Sequence, residues 1–188
     1  GLIPAGRSRS DAVSRTDPAT KVAVLGTGRM GGAMVGTLRR AGFDVVAWNR
    51  DRGKCHAVAH TSGAEVAEGA AEAASAADVA ITSLADDAAV EAVYADAVEG
   101  FHAGQVVLEM STIAPETVRK VARSVQGRGA TMLDAPVSGS VPVVERGELL
   151  IMVGGDPDAL ERARPVLEAL SSTIIHVGEL GTGATMKL

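Results

Sequence analysis

The residues best placed to do chemistry lie near the start of the chain, where Val22–Leu25 runs into Gly26-Thr27-Gly28-Arg29-Met30-Gly31, an uninterrupted GxGxxG. Each glycine has a physical use. Gly26 permits a tight turn, Gly28 lets backbone N–H groups approach a pyrophosphate, and Gly31 allows a helix to pack closely on a strand. A helix that begins here adds the partial positive charge of its N-terminus, so the segment, with Thr27, Arg29 and Met30 between its glycines, is a candidate dinucleotide site. In a chain with 22 glycines a bare GxGxxG is a weak signal. Its place between a strand and an amphipathic helix makes it specific.

A second group follows the next strand, Asp44–Trp48, which ends at Asn49-Arg50-Asp51-Arg52. This is where such folds meet the adenosine ribose, and a site that prefers NAD usually presents a carboxylate there to both ribose hydroxyls. Here the position is Asn49, and Arg50 comes next. An acid would repel a 2′-phosphate, whereas Arg50, with Arg52 near it, would attract one, which favours NADP(H) while leaving NAD(H) admissible. The competing reading makes both arginines solvated charges at a helix start and gives the ribose to Asp51.

The elements that must position these residues are legible from periodicity. Candidate strands are Val22–Leu25, Asp44–Trp48, Asp78–Ser83, Gln105–Glu109, Thr131–Asp134, Leu149–Val153 and Thr173–Val177. Between them lie stripes at helical spacing: Met30, Met34, Leu38 and Ala41; Val90, Val93, Tyr94 and Ala97; Val118, Val121, Ala122 and Val125. These stripes are core faces. Strands alternating with helices predict an α/β fold with a doubly wound, mostly parallel Rossmann sheet. Pro115 and Pro157 suit first helical turns and Asp156 suits an N-cap, while Pro165 is expected to kink or break the helix that Pro157 opens.

Composition narrows the function classes. A chain of 188 residues holds one domain with a substantial core, and 46% apolar with 22% charged residues is ordinary for a globular protein. Aromatics are only 2%, so aliphatic side chains must build that core. A net charge of −5 with no Lys/Arg-rich tract argues against nucleic-acid or anionic-membrane partners. The single cysteine, Cys55, cannot form an internal disulfide, and no Cys/His cluster offers a metal site. No apolar run approaches the roughly 20 residues needed to span a bilayer. With no signal-peptide pattern either, the expected compartment is the cytoplasm. Residues 1–20, rich in Gly, Pro, Ser and Arg, are expected to form a disordered tail.

Beyond these features the chain from Lys21 to Leu188 resembles the β-hydroxyacid dehydrogenase family, which includes 3-hydroxyisobutyrate dehydrogenase and 6-phosphogluconate dehydrogenase. The resemblance rests on four segments in order: GTGRMGGAMVGTLRRAGFDVVAWNR from Gly26, Glu109-Met110-Ser111-Thr112, Asp134-Ala135-Pro136-Val137-Ser138-Gly139, and Gly181-Thr182-Gly183-Ala184-Thr185-Met186-Lys187. It implies Thr112 beside the nicotinamide, Ser138, Gly139 and Ser140 around a substrate carboxylate, and Lys187 as the catalytic lysine. Ser140 departs from the pattern, standing where a second glycine is common. The implied reaction is NADP(H)-dependent hydride transfer between a small β-hydroxyacid and its semialdehyde or ketone. Lys187 would take up and return the hydroxyl proton. A lysine does this at neutral pH only where desolvation and the positive oxidised ring favour its neutral form.

The resemblance divides the chain into a tail (1–20), an NAD(P)-binding Rossmann domain (21–178) and the truncated start of an interdomain helix (179–188). The family's C-terminal all-helical domain, which closes the site and usually forms a homodimer, is expected to be absent. Lys187 would then be the penultimate residue of a segment too short to hold itself helical. An imine reductase or a non-catalytic dinucleotide-binding module are the alternatives, and Lys187 argues against both.

Overall fold

Short aliphatic runs can be buried on both faces only where helices cover both sides of a sheet. The computed structural model, which describes residues 20–188, has that arrangement. The tail expected over 1–20 lies, apart from Thr20, outside the described residues. In chain order the elements are β1 (Lys21–Leu25), α1 (Arg29–Arg40), β2 (Asp44–Trp48), α2 (Arg52–Ser62), β3 (Glu65–Val66), α3 (Ala70–Ser75), β4 (Val79–Thr82) and α4 (Asp87–Ala97). There follow β5 (Val106–Glu109), α5 (Pro115–Gln126), β6 (Thr131–Asp134), β7 (Val137–Ser138), α6 (Val141–Glu145), β8 (Leu149–Gly154), α7 (Pro157–Leu170), β9 (Ser171–Gly178) and α8 (Thr182–Lys187).

The strands form one nine-stranded sheet in the order β3-β2-β1-β4-β5-β6-β8, with β7 pairing farther along β8 and β9 on its other side. Strands β1 to β6 are mutually parallel, whereas β8 runs against β6 and β7. Alternation along each strand feeds two cores. Val22, Val24, Ile81 and Leu108 meet Met34 and Leu38 of α1 and Leu160 and Leu167 of α7. On the other face Ala23, Leu25, Val107 and Met132 meet α3, α4 and α5 through Ala73, Val90, Tyr94, Val118 and Val125.

Register gives the sheet a well-defined last row. Trp48, Leu25, Thr82, Glu109, Asp134 and Gly154 are successive cross-strand partners. The chain reverses its strand order at β1, between β2 and β4, so a crevice opens at the carboxyl ends of β1 and β4. Among the described residues no helix is long and apolar enough to cross a membrane.

The expected strands all form, Asp44–Trp48 and Thr131–Asp134 with the expected bounds and the others with ends shifted by one or two residues. Two pairings were not anticipated, β3 and β7, because a strand of two residues carries no readable period. Ala41, assigned to the core stripe of α1, is instead its exposed C-cap.

Pro165 does not break its helix. It sits on the exposed face of α7, which continues to Leu170. The Glu161 carbonyl it leaves without a partner can turn to water, and Leu160, Ala163, Val166, Leu167 and Leu170 keep the opposite face buried. A helix-interior proline still carries its cost. Pro165→Ala is therefore expected to stabilise the protein by about 1–3 kcal/mol in a urea unfolding titration. An unchanged midpoint would mean that this carbonyl loses nothing to the proline.

Candidate dinucleotide-binding site

The glycine turn is tight where packing demands it and open where a ligand would lie. Gly26 has φ +103°, and a Cβ there would stand 2.1 Å from the Ser83 carbonyl oxygen; one on Gly31 would stand 1.9 Å from the Gly26 carbonyl oxygen. Both contacts forbid a side chain. A Cβ on Gly28 would meet nothing within 4 Å. Gly28 is the N-cap of α1, no side chain caps the helix, and its first turn contains no acid. Its N-terminal N–H groups, with the helix's partial charge, therefore face open space fitted to an anion. Thr27 is buried and serves the turn from beneath, its N–H donating to Asn49 Oδ1 at 3.0 Å.

That contact assigns the residues after β2. The Asn49 amide is used on both sides, since Nδ2 donates to the Asp51 carbonyl at 3.0 Å, so Asn49 braces the turn against the β2–α2 loop. Asp51 caps α2, accepting from the Lys54 N–H at 3.2 Å. Arg52 is ion-paired with Glu68. Arg50 is exposed and makes no ion pair or side-chain hydrogen bond with the described residues. Of the four it is the one whose charge has no partner among the described residues. Cys55 is buried in α2, and burial pushes its thiol up, which disfavours a reactive thiolate.

A cleft of about 480 Å³ continues from the turn, lined by Gly28, Arg29, Met30, Gly31, Ser83, Leu84, Ala85, Met110, Ser111, Thr112, Val137, Gly139 and Lys187. Five separate segments meet here. Thr112, Gly139 and Lys187 share the cleft with the glycine turn, while Ser138 and Ser140 flank Gly139, exposed and outside the lining. Gly139 has φ +148°, and a Cβ there would crowd Leu149 and Val143 at 2.8 and 2.9 Å. Sequence reasoning missed Ser83, Leu84 and Ala85. The usable signal was their place directly after β4, at the switch point.

Two buried acids in the last row of the sheet, also missed, hold the cleft's parts together. Asp134 accepts from the N–H groups of Gly181 and Ala184, both at 2.8 Å. Space for this is left by glycine, since a Cβ on Gly154 or Gly183 would stand 2.5 or 2.9 Å from its carboxylate. Helix α8 therefore does not depend on its own length, contrary to expectation. A side chain from β6 supplies two of its N-terminal partners, and Ala184 packs into the core.

Glu109, fully buried, accepts from the Thr82 hydroxyl and from the Ser111 N–H at 2.8 Å. Tyr94 and Thr82 join hydroxyls at 3.0 Å, and the Leu84 N–H donates to Ser111 Oγ at 2.9 Å. Burial pushes the Glu109 carboxyl up, opposed by the hydrogen bonds from Ser111 and Thr82.

A parallel sheet with a glycine turn at its switch point, an open helix N-terminus and a cleft crossing the strand ends defines a dinucleotide-binding Rossmann domain. Residues 21–178 match the family described as the NAD binding domain of 6-phosphogluconate dehydrogenase. An NAD-dependent L-serine dehydrogenase of Pseudomonas aeruginosa is 39% identical over 172 residues, which are 89% of this chain and 57% of that protein. A 3-hydroxyisobutyrate dehydrogenase of the same organism is 38% identical, over 90% of this chain and 57% of its own. Among solved structures, Mycobacterium tuberculosis 3-hydroxyisobutyrate dehydrogenase with L-serine superposes with a TM-score of 0.85 at 37% identity, covering 89% of this chain and 57% of the other. The chain belongs to the β-hydroxyacid dehydrogenase family and spans rather more than half the length of these relatives.

The open space at Gly28 yields a separable test. Gly28 has φ −69°, so a side chain costs no backbone strain, and Gly28→Val is expected to leave the melting temperature nearly unchanged. Displacing two charge-assisted contacts should weaken dinucleotide binding by about 100-fold or more. Calorimetric titration beside a thermal melt checks both halves, and retained affinity would reduce the loop to a turn.

Proposed function

We propose that the chain binds NADP(H) in preference to NAD(H) and serves hydride transfer between a small β-hydroxyacid and its semialdehyde or ketone. The observation that carries this reading is the convergence of Lys187, Thr112 and Gly139 on the cleft that begins at the glycine turn. A bound nicotinamide ring supplies the hydride acceptor for oxidation and, reduced, the donor for the reverse reaction. The protein's own residues do the rest. The start of α1 holds the pyrophosphate, and Thr112, in the middle of the loop between β5 and α5, stands where the ring is read to lie. Gly139, which lines the cleft, lets the backbone come close to a substrate carboxylate, and Ser138, outside the lining as the structure stands, is its neighbour in the chain. Lys187 Nζ accepts the substrate hydroxyl proton during oxidation and returns it during reduction.

Cofactor preference rests on Arg50. Neither neighbouring polar group competes for its role, because Asn49 and Asp51 are hydrogen-bonded within the loop, and Arg52 shares its charge with Glu68. The NAD-dependent relative makes this preference the point to test. One charge-assisted contact to a 2′-phosphate is worth roughly 1.5–3 kcal/mol, so NADP(H) should bind about 10- to 100-fold more tightly than NAD(H). Arg50→Ala should erase most of that difference; a variant that keeps it would remove Arg50 from the role.

The proton-transfer assignment has its own readout. Lys187→Ala is expected to lower kcat by about 10²- to 10⁴-fold, with cofactor Kd held within about twofold. Assays with NADP(H) and a panel including L-serine and 3-hydroxyisobutyrate would measure it. Turnover that survives the substitution would place the acid–base group elsewhere.

A further inference from the structure

Glu109 is a buried acid that the reaction as proposed does not use. It is 0% exposed and forms no ion pair with the described residues, and burying a carboxylate without a cation is unfavourable until hydrogen bonds offset it. A valine or leucine would fill a sheet position at no such cost. What the carboxylate adds is connection. Thr82, at the end of β4, donates to one oxygen, and the Ser111 N–H, in the loop after β5, donates to the other. The Ser111 hydroxyl then accepts from the Leu84 N–H, in the loop after β4. Leu84 lies two residues beyond Thr82, so the links close into a ring of hydrogen bonds joining the two loops. Tyr94 braces the ring from α4 through the Thr82 hydroxyl.

Both joined loops line the cleft, one with Ser83, Leu84 and Ala85, the other with Met110, Ser111 and Thr112. Glu109 and Thr82 do not line it; they lie beneath. The glycine turn and Arg50 are outside the ring. Its effect should therefore fall on one end of a bound dinucleotide and spare the other.

We propose that Glu109 is a positioning residue for the nicotinamide end of the cofactor, its carboxylate fixing the spacing between the β4 and β5 loops that receive the ring. The inference rests on the reading of this cleft as the dinucleotide site with Thr112 beside the nicotinamide. A fully satisfied buried network has this capacity because each member constrains the next, whereas an aliphatic side chain would leave the loops to find their own separation.

The test compares an intact dinucleotide with its adenosine half. Titrations of NADP⁺, NADPH and 2′,5′-ADP, with NAD⁺ and ADP in parallel, are made on the wild-type chain and on Glu109→Ala, Glu109→Gln and Thr82→Val, each with a thermal melt. Glu109→Ala should bind the adenosine half within about twofold of wild type and the intact dinucleotide about tenfold more weakly, the size of one lost polar contact. Glu109→Gln, which keeps an acceptor for Ser111 and can donate to Thr82, should recover part of the loss. Thr82→Val, isosteric and away from the cleft, should reproduce the pattern in smaller degree and decides the matter if Glu109→Ala does not fold. Equal weakening of both ligands, or no change in either, would overturn the proposal. A wild-type chain that binds the adenosine half but gains nothing from the nicotinamide half would overturn it too, while one that binds none of the five ligands would sink the site reading on which it rests.

Discussion

The candidate site depends on how the parallel sheet ends. Beyond the last row of strand pairing, backbone N–H groups in the connecting loops have no ladder partner, and a loop packed over the sheet cannot rely on water for all of them. Two acids in adjacent positions of that row, Glu109 and Asp134, collect three such groups: Ser111 from the β5 loop, and Gly181 and Ala184 from the start of α8. Each acid ties the sheet to a segment far away in the sequence or to a neighbouring loop. Without them the rigid part of the molecule would stop at the strand ends, and the loops that line the cleft would have less to hold them.

The glycine turn obeys the same economy of space. Gly26 and Gly31 are needed because backbone oxygens already occupy the volume a side chain would take, whereas at Gly28 that volume is open. One motif thus contains two kinds of glycine, crowded by backbone and facing open space, which the spacing alone does not separate. The neighbouring loop divides its labour similarly. Asn49 and Asp51 use their polar groups to fix backbone, leaving the exposed Arg50 to face outward.

Helix α8 shows how tertiary contacts override length. Six residues form a marginal helix in isolation, yet here a buried carboxylate takes two N-terminal N–H groups and Ala184 packs against the core. Lys187 reaches the cleft from the end of a segment whose beginning is anchored. Pro165 makes a parallel point in α7, where burial of one face outweighs a local penalty on the other.

Much of this was legible in the residues themselves. Alternating aliphatic runs and helical stripes determined the α/β class and the longer elements, though not β3, β7, α3 or α6, because burial on both sheet faces leaves a pattern that survives without neighbours. The GxGxxG determined the turn, and the resemblance of three later segments to a known family pointed to Thr112, Gly139 and Lys187. The supporting acids were not legible, since a carboxylate at a strand end reads as solvated until the register shows it buried beside Thr82 and Ser111. Nor could the sequence separate Arg50 from Arg52, because the difference is a partner, Glu68, sixteen residues away. Those decisions belong to the tertiary structure, as hydrogen bonds and ion pairs are set by distance in space, which local pattern does not encode.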